Sequence, residues 1–152
     1  MNKAIRKPLA LIATALWATM AQASGTIPAP EVQQTLPSFR ACLAQLDAAY
    51  AADRKAITPR SVAADGRTSE VSLETRTKGI ARSGRNQARY HGRIWYAHGR
   101  ISTADPQQRE VSHSWQERVL VCDGRKLTRT GASGYTLSTF EPVGRQDTPP
   151  AH

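Results

Sequence analysis

The sequence predicts an α+β domain in which an N-terminal helix packs on a curved antiparallel β-meander of four to six strands. Three observations favour this fold class. Apolar residues recur at helical spacing from Phe39 to Tyr50, apolar and polar residues alternate from Thr68 onward, and glycine-containing turn signals separate the alternating segments. The change of period therefore places one helix before a set of strands that short turns connect.

The first 23 residues have the three parts of a secretory signal peptide. Basic residues within positions 3–7 form a positive start, and residues 9–20 are an uncharged, mostly apolar run. Ala21-Gln22-Ala23 supplies the small residues that a signal peptidase needs, so we expect cleavage after Ala23. The run is shorter than the roughly 20 apolar residues of a membrane-spanning helix. We therefore expect a periplasmic or secreted protein that does not span the membrane after cleavage.

The net charge and the chain length limit the class of protein further. The 152 residues include 21 Lys and Arg against 12 Asp and Glu, which gives a formal net charge of +9. Loss of residues 1–23 leaves 129 residues and a net charge of +6, because three basic residues lie in the signal peptide. This length suits one domain with its own core. Arginine suits phosphate and carboxylate ligands, but an arginine-rich composition does not by itself identify one.

Composition also sets the predicted limits of the folded domain at residues 37–140. Residues 24–36 contain prolines and polar side chains, and they are expected to form a loose lead-in. Residues 141–152 contain three prolines and little apolar content, which predicts a disordered tail.

One helix is predicted after Ser38, whose side chain is of a type that caps helix N-termini. The predicted apolar face of this helix consists of Phe39, Cys42, Leu43, Leu46 and Tyr50. Cys42 lies on that face, and Cys122 is the only other cysteine of the chain. Because an exported protein meets an oxidising environment, we predict a Cys42–Cys122 disulfide that joins the helix to the sheet. No Cys-x-x-Cys pair occurs, which argues against redox catalysis.

The first two long strands are predicted to form a hairpin. Alternation places Val71 and Leu73 on the apolar face of one strand, and Ile94 and Tyr96 on the apolar face of the next. A two-residue turn at Ser83-Gly84 brings Val71 opposite Tyr96 and Leu73 opposite Ile94. The turn and the apolar faces thus agree on one register.

Thr58-Pro59 and Asp65-Gly66 indicate a loop between the helix and the first strand. Gly99 suggests a bulge or bend, and Asp105-Pro106 a turn. A long strand is expected from about residue 110 to 122. The Asp123-Gly124 turn after it should bring Leu120 opposite Leu127, on the face that carries Cys122. A last short strand is predicted near residues 135–140.

The first hairpin also carries the predicted binding face. No acidic residue lies between Glu74 and Asp105, whereas seven basic residues do. The predicted register pairs Glu74 with Arg93, Arg76 with His91, and Lys78 with Arg89. Like charges opposite each other destabilise a sheet unless water or an anion separates them. We therefore predict an anion-binding face formed by Arg76, Lys78, Arg89, His91, Arg93 and Trp95, with Trp95 placed to cover a sugar or a lipid head group. A solvated basic face is the simpler alternative.

Other motifs do not form a catalytic or metal site. His91 and His98 have opposite parity on one strand, so they should point to opposite faces. Residues 131–134 lack the G-x-S-x-G spacing of a nucleophile elbow, and their glycines suit a flexible turn. Glu70 and Glu74 would lie roughly 13 Å apart on a strand, which is too far for paired glycosidase carboxylates. No catalytic residue, metal ligand or cofactor is predicted.

These observations predict a non-catalytic envelope protein that binds another protein or an envelope component. A binder of anionic ligands, such as a phosphate-rich glycolipid or polymer, is an alternative that the basic hairpin face favours. A small secreted hydrolase is a further alternative. Nucleic acid is not expected as a partner, because an exported protein rarely meets it.

Overall fold

The structure is a computed structural model that describes residues 25–144. Within this range the chain forms one helix and seven strands. The elements are β1 (Gly25–Thr35), α1 (Phe39–Lys55), β2 (Thr58–Val62), β3 (Arg67–Gly84), β4 (Gln87–Ile101), β5 (Gln108–Asp123), β6 (Lys126–Tyr135) and β7 (Thr139–Pro142). The fold is α+β and consists mostly of sheet. The predicted signal peptide and the chain from residue 145 onward lie outside the described residues.

All strands of residues 25–144 belong to one antiparallel sheet. The strand order is β1-β6-β5-β4-β3-β2, and β7 pairs with β5 beyond the end of β6. Strands β2 to β6 form the predicted meander. The sheet adds β1 and β7 to that five-stranded meander, and the prediction that the helix is the first element is wrong, because β1 precedes it.

Strand β1 occupies the segment that was expected to be a loose lead-in. It pairs with β6 along most of its length, with a register shift between Ala29 and Val32. At the edge of the sheet the outer side of β1 needs no hydrogen-bond partner, so this position tolerates Pro28 and Pro30. The prolines that suggested a loop are therefore compatible with an edge strand.

The other edge of the sheet and its last strand also differ from the prediction. Thr58-Pro59 begins the edge strand β2 rather than a loop. The predicted strand at residues 135–140 is divided, since Tyr135 ends β6 and Phe140 belongs to β7. Glu141 and Pro142 extend β7, so the sheet continues past the predicted domain limit at residue 140.

Helix α1 begins as predicted. The Ser38 hydroxyl accepts a hydrogen bond from the Ala41 backbone N–H at 3.1 Å. The predicted apolar face faces the sheet, and the buried core that it builds contains Leu36, Cys42, Leu46, Ala88, Tyr90, Leu120, Cys122 and Leu127. We call the side of the sheet that α1 covers the helix face. No described helix or strand packs on the opposite side, which we call the outer face.

The disulfide between Cys42 and Cys122 is present and joins α1 to β5, as predicted. The two Cα atoms are 6.0 Å apart, and both cysteines are fully buried. The bond ties the helix to the centre of the sheet across a sequence separation of 80 residues.

The hairpin of β3 and β4 has the predicted register near its open end, although the predicted turn is wrong. Val71 lies opposite Tyr96, Leu73 opposite Ile94 and Glu74 opposite Arg93. The turn, however, lies at Arg85-Asn86 rather than at Ser83-Gly84, because Gly84 still pairs with Gln87.

Two irregularities in β3, a bulge at residues 76–79 and a shift of one residue between Arg82 and Gly84, compensate for the displaced turn. Residues 76–79 lie opposite the single residue His91, which adds three residues to β3. The backbone turns there at Lys78 (φ 49°) and Gly79 (φ 107°), and the second of these conformations suits glycine. The predicted pairs of Arg76 with His91 and Lys78 with Arg89 are therefore wrong, and Ala81 lies opposite Arg89.

The hairpin of β5 and β6 shows a smaller error. Its turn is Gly124-Arg125, so Leu127 lies opposite Cys122 rather than opposite Leu120. The shift is of two residues in the pairing, and Leu127 therefore keeps the predicted face, where it is fully buried.

Gly99 does not mark a bulge, because the pairing of β4 with β5 is unbroken through it. A Cβ atom at this position would lie 2.6 Å from the Glu110 carbonyl oxygen. The glycine therefore serves close strand packing. The turn at Asp65-Gly66 is present as predicted, and so is the turn at Asp105-Pro106.

Candidate functional site

The structure brings together three of the predicted anion-binding residues on the outer face. His91, Arg93 and Trp95 alternate along β4, and their neighbours across the strands come from β3 and β5. We call this group the outer-face cluster; it consists of Glu74, His91, Arg93, Trp95, Trp115 and Glu117.

Glu117 contacts both His91 and Arg93 in the outer-face cluster. Its Oε1 atom lies 2.7 Å from His91 Nε2 and accepts a hydrogen bond from Arg93 Nη2 at 3.1 Å. The three side chains are only 12 to 22% exposed. The hydrogen bond from His91 and the charge of Arg93 hold the pKa of Glu117 below its ordinary value, although desolvation opposes this shift. Glu117 was not singled out in the sequence.

Two indole rings enclose the Arg93 guanidinium. Its Cζ atom lies 4.5 Å from the ring centroid of Trp115 and 5.5 Å from that of Trp95. Such cation–π contacts stabilise a desolvated cation. Trp95 Nε1 donates a hydrogen bond to Glu74 Oε2 at 3.1 Å. Glu117 is hydrogen-bonded to Arg93 and Glu74 lies opposite it on β3, so the charge of Arg93 is compensated within the outer-face cluster.

The other three predicted residues lie at the closed end of the same hairpin. There Arg76, Lys78 and Arg89 are exposed, as are Arg82 and Arg85. None of these five cations forms an ion pair within residues 25–144. We call Arg76, Lys78, Arg82, Arg85 and Arg89 the basic hairpin patch. In contrast, arginines elsewhere in the sheet are paired, such as Arg60 with Glu70 and Arg109 with Glu141.

A buried triad joins the end of α1 to the helix face. The Tyr90 hydroxyl donates to Asp53 Oδ2 at 2.6 Å, and Arg118 Nη2 lies 3.3 Å from Asp53 Oδ1. Asp53 is 1% exposed. Burial, reinforced by the hydrogen bond to Asp53, raises the pKa of Tyr90. Asp53 continues the apolar stripe three residues after Tyr50, and this position was the one available sign that the carboxylate is buried.

The structure also places the remaining sequence motifs. His91 and His98 point to opposite faces, as predicted, because the pairing of β4 is unbroken between them. Residues 131–134 lie within β6 and not in a turn, which corrects the prediction. There a Cβ atom at Gly134 would lie 2.5 Å from the ring of Trp115, so this glycine makes room for a member of the outer-face cluster. Residues 25–144 hold no group of three His, Cys, Asp or Glu side chains that could bind a metal ion.

No protein-family model, curated protein or solved structure matches the chain. Among the described residues, no helix has the length and apolar character that crossing a membrane requires. The function must therefore be inferred from the chemistry of the surfaces described above.

Acid should weaken the outer-face cluster. The pKa of Glu117 is lowered in the folded state, so its contribution is present above the unfolded value of about 4.3 and is lost as the pH falls through the folded value. Glu117→Gln should cost about 1 kcal/mol at neutral pH, since the charged hydrogen bonds are partly exposed. Urea unfolding should show that the free energy of unfolding falls less between pH 7 and pH 3 in the variant than in the wild type.

Glu110→Gln is the matched control, because Glu110 is an exposed glutamate of the same strand. This control should retain the acid-dependent loss of the wild type. The same pH dependence in Glu117→Gln and in the wild type would show that Glu117 does not stabilise the sheet through its charge.

Proposed function

We propose that the protein is an exported, non-catalytic envelope protein whose basic hairpin patch binds a phosphate-rich component, either a glycolipid or a polymer. The observation that carries this proposal is the set of five exposed cations without an ion-pair partner in the described residues, all between residues 76 and 89. Export is supported by the predicted signal peptide and by the disulfide, which is typical of oxidising compartments.

Electrostatics favours a polyanion at this patch. Arginine and lysine are charged at neutral pH, and a concentration of like charge on one hairpin costs stability through self-repulsion. Glu74, the nearest acid earlier in the sequence, is engaged by Trp95. A ligand with several phosphates would relieve the repulsion, and arginine can contact phosphate oxygens through two parallel hydrogen bonds.

The catalytic alternative, a small hydrolase, can be weighed at the His91–Glu117 pair of the outer-face cluster. The His91–Glu117 pair resembles a base with its orienting acid, but Arg93 shares the same carboxylate oxygen. The Thr77 hydroxyl accepts a hydrogen bond from the His91 backbone N–H, but no Ser, Thr or Cys side chain is hydrogen-bonded to the His91 ring within residues 25–144. A nucleophile poised beside its base, which hydrolases of the triad type require, is therefore missing from this pair.

Charge reversal within the patch should abolish phosphate binding. Arg85→Glu with Arg89→Glu should weaken binding of the mature protein about a hundredfold or more, at roughly 1 kcal/mol for each charge lost or opposed. Wild-type binding should also fall steeply with added salt. Titration against vesicles that contain a phosphate-bearing glycolipid, and against soluble polyphosphate, measures the effect and distinguishes the two ligand classes.

Arg40→Glu with Lys55→Glu is the matched control, because it changes the net charge equally on the exposed surface of α1. This control should retain most of the binding. If both double variants lost the same amount of binding affinity, the effect would come from net charge and not from the basic hairpin patch. Binding that salt does not weaken would contradict a phosphate site. A protein partner, the other ligand class that the sequence suggested, would be revealed by specific pull-down from envelope extracts that salt does not release.

A further inference from the structure

A cleft lies between α1 and the helix face of β5 and β6, away from the basic hairpin patch in the sequence. Its volume is about 370 Å³, and it is lined by Gln45, Ala48, Ala49, Arg118, Leu120, Arg129 and Thr130. Pockets for small ligands typically have volumes from about 300 to 1,000 Å³. The cleft is therefore large enough for a small molecule, and the proposed function does not use it.

Small residues on the helix wall create this space. Helix α1 contributes Ala48 and Ala49 where larger side chains would fill the gap. Leu120 provides an apolar surface between the two walls.

The charges of the cleft do not balance. Arg118 is 41% exposed and pairs with Asp53, whose second oxygen is already bonded to Tyr90. Arg129 donates to the neutral Gln45 side chain at 3.0 Å. Asp53 thus compensates Arg118 alone, and Arg129 has no ion-pair partner among the described residues, so the cleft keeps one positive charge.

We propose that the cleft binds a small amphipathic anion, with a carboxylate or phosphate head on Arg118 and Arg129 and a short apolar body against Ala48, Ala49 and Leu120. Each guanidinium has several N–H donors, and an oxyanion between them would accept charge-assisted hydrogen bonds. Asp53 and Tyr90 hold Arg118 in place before a ligand arrives, which reduces the ordering cost of binding. This site does not depend on the proposed function of the basic hairpin patch.

Calorimetric titration of the mature, oxidised protein with four probes tests the proposal. Octanoate and octyl phosphate carry the two anionic heads, octyl glucoside carries a neutral head on the same chain, and inorganic phosphate carries a head without a chain. At least one anionic amphiphile should bind about tenfold or more tightly than octyl glucoside and inorganic phosphate. Equal binding of octyl glucoside, or no binding by either anionic amphiphile, would overturn the proposal.

Two variants separate the head site from the apolar site. Arg129→Gln removes one guanidinium at an exposed position and should weaken the anionic amphiphile about tenfold. Ala48→Phe keeps both arginines and fills the cleft from an exposed helix position, so it should exclude the ligand. Unchanged affinity in Ala48→Phe would place the ligand elsewhere. Arg85→Glu with Arg89→Glu should leave this binding unchanged, which distinguishes failure of this site from failure of the phosphate proposal.

Discussion

Reduction of the Cys42–Cys122 disulfide should lower the free energy of unfolding by about 4–5 kcal/mol, the value that the chain-entropy model assigns to a loop of this length. The loop spans a sequence separation of 80 residues, and both cysteines are fully buried. Domains of this size are commonly stable by only about 5–15 kcal/mol, so the reduced protein should be close to unfolding at body temperature. Chemical denaturation with and without reductant measures the difference.

A double variant, Cys42→Ala with Cys122→Ala, separates loss of the cross-link from the effect of reductant on the rest of the protein. It should be destabilised as much as the reduced wild type or more, because alanine leaves space in the core, and reductant should not change it further. Two thiols that react with an alkylating agent in denatured, non-reduced protein from an exported preparation would contradict the disulfide itself.

The disulfide and the helix could be predicted because each depends on information local to the sequence. The Ser38 cap and the stripe that contains Cys42 and Leu46 follow from helical periodicity, and the pairing of two cysteines leaves one choice. The burial of Asp53 could not be predicted by the same reasoning. Asp53 occupies the same stripe, but its burial depends on Tyr90 and Arg118, which come from β4 and β5.

The registers of the hairpins were less predictable, because the position of the turn and any bulge both decide which residues pair. Leu73 lies opposite Ile94 as expected, but only because errors cancel. The turn lies two residues later, which shifts the pairing by four, and β3 contains three extra residues near Lys78 and Gly79 and one more between Arg82 and Gly84. The three extra residues change the core-facing positions of β3 from odd numbers, as at Leu73, to even numbers, as at Ile80, and this change of phase was the sign of the bulge in the sequence. The predicted contact between Lys78 and Arg89 was therefore wrong.

The candidate site was predictable only within one strand. His91, Arg93 and Trp95 share a face because of their parity on β4. Their partners Trp115 and Glu117 come from β5, whose register with β4 is set across the connection at residues 102–107 rather than by a two-residue turn. Glu117 is hydrogen-bonded to both His91 and Arg93, so two of the predicted anion ligands already have a partner, and the cations without an ion-pair partner in the described residues lie in the basic hairpin patch.

Removal of Arg118 should be the most damaging single change on the helix face. Arg118→Ala leaves the Asp53 carboxylate, which is 1% exposed, with the Tyr90 hydroxyl as the one remaining partner that the structure describes. An uncompensated buried charge costs about 3–5 kcal/mol. Tyr90→Phe removes one hydrogen bond and keeps the ion pair, so it should cost about 1–3 kcal/mol. Urea unfolding at neutral pH should give these losses in this order.

The double variant Asp53→Ala with Arg118→Ala should be more stable than Arg118→Ala alone, because the buried charge is gone. Alkaline unfolding provides a separate test of the triad. Burial and the bond to Asp53 raise the pKa of Tyr90, so stability should be constant below the unfolded value of about 10 and should fall as the pH rises above it. Tyr90→Phe should lose that fall. A double variant that is no more stable than Arg118→Ala would show that the Asp53 charge is not what Arg118 compensates, because the loss would then come from packing alone.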